Sequence, residues 1–472
     1  MPLKIYNTLT KELKEFKPIT PGEVKMYVCG VTPYDFSHLG HARPAVVFDV
    51  VRRYFEQQNY KVTYVVNYTD IDDKIIARAN EQGKDPYSYP EPYIEDYRRS
   101  LERLNVKPAT HNPRVTQLIG IIIDFIRKII ENGYAYESGG DVYFAVRKFA
   151  AYGKLSNRSV DEMLEVGRVD PGPNKRDPLD FALWKSAKPG EPYWWSPWGK
   201  GRPGWHIECS AMGTHYLGDT FDIHGGGNDL IFPHHENEIA QSCAYSGKAA
   251  FANYWMHNGM VTLKEEKMSK STGKFLPLRD LLDKYPPDAL RMYLLGTHYR
   301  APTDFSEEII QSYANRFSRF FTLVNTLMEL EGVNPGGMED GLQRADNDPD
   351  IAQDRMMFFG ALESDFTTSG ALVPLQRLLD RANLSLSVGD DRQATMCGAV
   401  MLRWARDYLG LFEHIEHDAG KYIEPLVEHI LKLRDKARKN KDFALADQLR
   451  KLIADSGVIV EDTPQGVRWR LP

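Results

Sequence analysis

Three consecutive stretches decide the fold: Lys25-Met-Tyr-Val-Cys29, Pro44-Ala-Val-Val-Phe-Asp-Val-Val-Arg-Arg-Tyr-Phe-Glu-Gln57 and Lys61-Val-Thr-Tyr-Val-Val-Asn-Tyr68. The first reads as a short apolar strand. In the second, Val46, Val47, Val50, Val51 and Tyr54 recur at the period of a helix with one buried face. The third is β-branched and aromatic, and poor in helix formers. Strand, helix and strand in that order predict a parallel sheet, because parallel neighbours need a long crossover and a helix supplies it.

Further along, Ser100–Asn132 carries a helical pattern. From 139 to 204, Gly, Pro, Trp and charged residues crowd together, as in Asp170-Pro-Gly-Pro173 and Tyr193-Trp-Trp-Ser-Pro-Trp198. That composition predicts an inserted subdomain with irregular loops. Strand and helix patterns resume over Thr220–Tyr245. Helical periodicity in Ile309–Leu330, Ile351–Phe366, Ala371–Leu386 and Ala399–Leu411 predicts a bundle. Residues 331–350, rich in Gly, Asp, Asn and Pro, read as an exposed loop within it. Pro425–Ala454 reads as helix, and Gly457–Arg470 as two short strands around Thr463-Pro-Gln-Gly466. The expected α/β architecture is a parallel-sheet domain in two halves, 1–138 and 205–305, split by the insertion 139–204. A helical bundle (306–420) and a small mixed C-terminal domain (421–472) follow.

Composition bounds the function. The chain has 472 residues, 42% hydrophobic and 26% charged, enough to bury cores in about three domains. A net charge of −6 excludes a uniformly basic surface but not a local basic face. Four cysteines, Cys29, Cys209, Cys243 and Cys397, are too few and too scattered for a disulfide scaffold. Met1–Phe16 carries five Lys or Glu side chains and no apolar core, unlike a signal peptide. The most apolar run, Leu118–Ile130, is short and broken by Asp124, Arg127 and Lys128, so no membrane span is expected. A cytoplasmic protein of a reducing compartment follows.

Two constellations carry chemistry. In Pro233-His-His-Glu-Asn-Glu238, His234 and Glu238 stand at i and i+4, one face of a helix that Pro233 can start. Imidazole and carboxylate are zinc donors, and Cys29 and Cys209 can add two thiolates. The alternative is an ordinary surface pair with two core cysteines. Cys243 and Cys397 read as buried apolar thiols. The second constellation is for phosphate. His38-Leu-Gly-His41 lies between the first strand and its helix, where a glycine permits close approach and a helix N-terminus attracts anions. A turn glycine with a capping histidine would explain it equally. Lys264-Glu-Glu-Lys-Met-Ser-Lys-Ser-Thr-Gly273 is either a solvated charge run or a loop that brings lysines to a reacting phosphate.

Taken together, His38-Leu-Gly-His41 and Lys267-Met-Ser-Lys-Ser271 resemble the signature pair of class I aminoacyl-tRNA synthetases, with Leu39 in place of the usual isoleucine. Met26–Asp35, Asn67–Lys74, Gly201–Met212 and Gly225–Glu238 narrow the resemblance to the cysteinyl-tRNA synthetase family, over nearly the whole chain. The resemblance implies a Rossmann-type catalytic domain that activates L-cysteine with ATP to an adenylate and transfers it to tRNA(Cys). It implies one Zn2+ on Cys29, Cys209, His234 and Glu238, and Mg2+ with ATP. His38 and His41 would bind phosphates, and Lys270, with Lys267 assisting, would neutralise the leaving pyrophosphate. Thr32, Thr69, Trp205 and Asp229 would line the cysteine pocket. Four protein ligands fill a tetrahedral zinc, so the substrate thiolate must expand the shell or loosen a weak ligand, Glu238 being the expected one.

Residues 432–472 hold ten Lys or Arg against six Asp or Glu, a local +4 that suits a nucleic-acid module. By resemblance this tail reads the anticodon, with Arg438, Phe443, Asp447 and Asp462 as contacts. A monomer is expected. Two competing readings remain at this stage: the cysteine ligase of mycothiol biosynthesis, which shares the metal and ATP motifs but lacks the tail, and a catalytically silent RNA-binding relative.

Overall fold

The computed structural model describes residues 2–470 except 161, 163–173, 264–265, 268–275, 334–335, 414, 457 and 464–465. Its centre is a four-stranded parallel sheet. In chain order the strands and flanking elements begin with β1 (Lys4–Asn7), β2 (Glu12–Glu15), β3 (Glu23–Val31), α1 (Leu39–Gln57) and β4 (Lys61–Tyr68). They continue with α2 (Asp73–Glu81), α3 (Glu91–Arg103) and α4 (Ile119–Glu131). A five-stranded antiparallel sheet comes next: β5 (Ala135–Ser138), β6 (Asp141–Phe144), β7 (Phe181–Ser186), β8 (Trp194–Ser196) and β9 (Gly199–Pro203), in spatial order β5-β6-β7-β9-β8. The chain then returns through α5 (Trp205–Leu217), β10 (Phe221–Gly227), α6 (Glu236–Ser246) and β11 (Ala252–Asn258).

The central order is β11-β10-β3-β4, with Ile223 opposite Met26 and Met26 opposite Tyr64. The expected β–α–β unit is therefore β3–α1–β4. The second half of the chain adds β10 and β11 on the other side of β3, so the insertion is carried between two halves of one sheet. In such sheets ligands gather at the carboxyl ends of the strands where the order reverses, and here that is the end of β3.

Two local readings of the sequence need correction. Ser100–Asn132 is not one helix. Pro108 and Pro113 interrupt it, and between α3 and α4 the backbone runs extended beside β4, with Val66 N–H donating to the His111 carbonyl at 3.1 Å. Residues 331–350 are not all loop. After β12 (Val261–Leu263), β13 (Glu266–Lys267), α7 (Leu278–Lys284), α8 (Pro287–Leu295), β14 (Thr303–Asp304) and α9 (Glu307–Val333) comes a short helix, α10 (Gly337–Ala345). It packs on α13 (Asp391–Leu409), beside α11 (Pro349–Glu363) and α12 (Thr368–Ser387). Gly341 permits the contact, since a Cβ there would stand 3.0 Å from the Met396 Cα. Glycine, which argued for loop, is here a packing residue.

Residues Met1–Leu411 form one compact unit and Phe412–Pro472 another. The second contains α14 (Ile415–Lys439), α15 (Phe443–Asp455) and the antiparallel pair β15 (Ile459–Thr463) and β16 (Gly466–Arg470). Among the described residues no helix is long and apolar enough to cross a membrane.

A buried charge cluster fastens α1 in the larger unit. Asp49 accepts from Arg53 Nε at 2.7 Å and from Arg291, and Arg291 also donates to the carbonyls of Leu104 and Leu409, each at 2.6 Å. Burial pushes the Asp49 carboxyl up, but the Arg291 and Arg53 guanidinium groups outweigh it and hold the value below the ordinary carboxylate range. Its stabilisation is thus complete above the unfolded carboxylate's pKa and fades as pH falls through the lower folded value. Asp49→Asn leaves two buried guanidinium groups without their anion. We expect it to cost about 3–5 kcal/mol, read as a lower urea midpoint for unfolding. An unchanged midpoint would mean the carbonyl partners suffice.

Candidate active site and metal centre

Four side chains meet at the end of β3. Cys29 comes from β3, Cys209 from the second turn of α5, His234 from the helical turn Ile231–His235 and Glu238 from α6. One donor atom from each lies within 4.8 Å of the others. Cys29 Sγ is 3.7 Å from Cys209 Sγ and 3.5 Å from Glu238 Oε1, and His234 Nε2 is 3.1 Å from that same oxygen. Two sulfurs about 2.3 Å from a tetrahedral zinc stand about 3.8 Å apart, so the spacing fits the ion. All four cysteines are free. Cys243 and Cys397 are buried and lie outside the cluster, as their surroundings in sequence suggest.

The local charge states suit a metal. Burial pushes the Cys29 thiol well above its ordinary value, and the neighbouring Cys209 and Glu238 add to the shift. For Cys209 the Cys29 hydrogen bond pulls down, but burial and the Glu238 charge outweigh it. Burial, with His206 and His224 close by, pushes His234 well down. The imidazole is therefore neutral and ready to ligate. The thiols need a cation to ionise, and a metal that binds them must displace their protons.

A shell of further histidines surrounds the cluster, and the sequence reading missed them. His224 Nε2 lies 2.8 Å from Glu238 Oε2, the carboxylate oxygen that faces away from Cys29 and His234. His206 Nδ1 is 2.9 Å from His234 Nδ1. His235 Nε2 is 3.2 Å from Cys29 Sγ, and its Nδ1 is 2.7 Å from His257 Nε2. Burial lowers His206 and His257 each to about 3. Cys29, His224, His235 and Glu238 form a second, overlapping group of donors. The doublet His234-His235 and the placement of His224 just before three glycines were the available signals. Singly, none has metal-ligand spacing.

The expected pocket residues occupy different positions. Trp205, 40% exposed, stacks on His234 with ring centroids 4.4 Å apart and forms an open wall beside the cluster. Thr69 is buried, and its hydroxyl donates to Glu208 Oε2 at 2.9 Å. Thr32 is half-buried just past β3, and Asp229 is exposed after β10. Glu236, fully buried, ties this region to the insertion. Its carboxylate accepts from Gly153 N–H at 2.9 Å and from both the N–H and the hydroxyl of Ser156 at 2.8 Å.

His38 and His41 open α1. His38 Nδ1 accepts from Gly40 N–H at 3.0 Å, and His41 Nδ1 accepts from His38 N–H at 3.2 Å, with the rings stacked 3.9 Å apart. A Cβ at position 40 would lie 2.8 Å from the His38 ring, which explains the glycine. The capping role and the phosphate role are compatible. Each Nδ1 is an acceptor, so each neutral ring carries its proton on Nε2 as a donor. The other phosphate motif begins at Lys267 in β13, opposite Thr262, while Lys270 lies outside the described residues. Downstream, Pro277 bridges His38, and Leu278 N–H donates to the Ser37 carbonyl at 2.8 Å, which brings the far side of that motif against the first one.

In the smaller unit, Arg438 on α14 and Phe443 and Asp447 on α15 are exposed, Phe443 by 62%. Asp462 lies in β15, where the backbone alone is described.

Comparison with known proteins agrees with this geometry. The family model described as the class I (C) tRNA synthetase catalytic domain matches residues 15–315, and that of the cysteinyl-tRNA ligase anticodon binding domain matches 423–470. A cysteine–tRNA ligase of Thermococcus onnurineus is 48% identical over 475 residues, covering 100% of this chain and 99% of its own. One from Carboxydothermus hydrogenoformans is also 48% identical, covering 99% and 100%. A solved methionyl-tRNA synthetase of Mycobacterium tuberculosis in complex with methionyl-adenylate shares the fold at TM-score 0.61 and 15% identity, over 85% of this chain and 93% of its own. The reading as the cysteine ligase of mycothiol biosynthesis finds no support here.

Proposed function

The chain belongs to the cysteine–tRNA ligase family of class I aminoacyl-tRNA synthetases, and from that premise we propose how its own residues divide the work. Cysteine, ATP and tRNA(Cys) are the substrates. Cys29, Cys209, His234 and Glu238 hold one zinc ion. The observation that supports this most is the sulfur–sulfur spacing of 3.7 Å within a four-donor cluster at the end of β3. Bound there, zinc supplies a soft Lewis acid that takes a thiolate and leaves serine's hydroxyl, a discrimination that pocket shape alone makes poorly.

The protein side chains do the rest. Trp205 walls the amino acid against His234. Thr32, Thr69 and Asp229 stand around the substrate backbone, with Thr69 oriented by Glu208. His38 and His41 point Nε2–H donors at the phosphates, Lys267 and Lys270 meet the leaving pyrophosphate, and Mg2+ accompanies ATP. The cysteine carboxylate attacks the α-phosphorus, pyrophosphate leaves, and the terminal ribose hydroxyl of the tRNA then attacks the adenylate carbonyl. No covalent enzyme group is required. His224 Nε2, 2.8 Å from Glu238 Oε2, would keep that carboxylate in place through its other oxygen, which makes Glu238 the ligand expected to be the weakest of the four. We assign the enzyme to the cytoplasm and treat it as a monomer.

The deciding experiment charges total tRNA with cysteine or serine in the presence of ATP. Cysteine-only charging is expected. Cysteine-dependent pyrophosphate exchange without charging would move the function to a small-molecule acceptor, and loss of both would make the chain a silent RNA binder. Because 412–472 is a unit of its own, its removal is expected to leave exchange intact while weakening tRNA charging about tenfold or more. The lost phosphate and anticodon contacts set that scale. Collapse of exchange on truncation would make the unit structural, and Arg438, Phe443, Asp447 and Asp462 would lose their proposed role.

A further inference from the structure

The histidine shell has an outer end. His257 Nδ1 lies 2.8 Å from the hydroxyl of Thr8, a half-buried residue just past β1. Thr8 is fixed from two directions. Its N–H donates to the Trp255 carbonyl at 2.9 Å, and the preceding Asn7 side chain accepts from Trp255 N–H at 3.1 Å and donates to the Asn253 carbonyl at 2.8 Å. An unbroken line of contacts therefore runs from Thr8 through His257 and His235 to Cys29, at 2.8, 2.7 and 3.2 Å.

Chemistry sets the direction of that line. A metal-bound thiolate only accepts, so His235 Nε2 must carry the hydrogen that faces Cys29 Sγ. A neutral imidazole with its proton on Nε2 accepts at Nδ1, so His257 Nε2 must donate to it. His257 in turn accepts at Nδ1, and the group there must be a donor. Thr8 Oγ1 is the hydroxyl in that position. A hydroxyl can serve as donor or acceptor, whereas a methyl can do neither.

We propose that Thr8 is a positioning residue for the metal centre: its hydroxyl supplies the donor that the thiolate-set tautomers of His257 and His235 require, and so supports the N–H that stabilises the Cys29 thiolate. The inference rests on the metal reading above. It reaches a residue outside every motif in the sequence, about 20 positions before the first ligand. It also gives the N-terminal hairpin β1–β2 a task beyond packing on β11.

The test compares the full-length protein with Thr8→Val, nearly the same shape without the hydroxyl, and Thr8→Ser, which keeps it. Zinc affinity is measured by chelator competition, and the thiolate-to-metal charge-transfer band is recorded after Co2+ substitution. Thr8→Val is expected to bind zinc about tenfold more weakly and to shift the cobalt band to longer wavelength, as a thiolate that has lost a hydrogen bond becomes a stronger electron donor. Thr8→Ser is expected to restore both. Wild-type affinity and band in Thr8→Val, while the parent binds one zinc, would overturn the proposal. So would equal losses in Val and Ser, which would make the methyl's packing responsible. A parent that binds no zinc would instead overturn the metal reading itself.

Discussion

Cys209→Ser is expected to purify without zinc and to need far more cysteine. The serine hydroxyl does not ionise at neutral pH and is a poor zinc donor, so three ligands would remain in a site built for four. Loss of an outer partner of a metal ligand already costs about 10–100-fold, and loss of a ligand should cost no less. The cysteine KM in pyrophosphate exchange should therefore rise by at least about 100-fold. The preference for cysteine over serine should shrink with it, because the soft acid that distinguishes sulfur from oxygen is gone. Elemental analysis gives the first reading. One zinc per chain retained in the variant would remove Cys209 from the ligand set and leave the overlapping group of Cys29, His224, His235 and Glu238 as the site.

His41→Asn is expected to fold normally and catalyse poorly. The amide oxygen of asparagine can replace Nδ1 as the acceptor for His38 N–H, so the start of α1 stays capped. What disappears is the Nε2–H on the far side of the ring. Removing one preorganised donor from a developing negative charge typically lowers kcat by about 10²–10³. Cysteine-dependent ATP–pyrophosphate exchange should fall by that factor while the melting temperature stays within a few degrees of the parent. His41→Ala should lose both. Exchange at the parental rate in His41→Asn would reduce this imidazole to a helix cap and shift the phosphate work to His38 and the lysines.

How much of this was legible beforehand depended on distance along the chain. β3–α1–β4 is contiguous and strongly periodic, so the sheet could be read, and the two phosphate motifs could be recognised as short strings. The pair His234 and Glu238 was visible for the same reason. The surrounding shell was not. His224 and His257 approach His235 because β10 and β11 lie side by side in parallel register, with Gly226 opposite His257, and no local pattern encodes that pairing. Thr8 was invisible because its significance lies entirely in what β11 brings beside it. The misreading of 337–345 as loop has a different origin. Gly341 was weighed for its conformational freedom, when its value is the absence of a side chain against α13.

The grip of Glu236 on the turn at 153–156 bears on how such enzymes can be rearranged. An inserted subdomain is often regarded as an exchangeable cassette, joined at two ends and otherwise indifferent to its host. Here the host holds it by a buried carboxylate two residues from Glu238 of the proposed metal site. A chimera that received a foreign insertion without a matching turn would strand that charge in the interior, and α6 would have to shift or open to water to relieve it. The graft would then fail at the metal centre, far from the seam where it was made. Transplanting the insertion therefore means transplanting α6 with it.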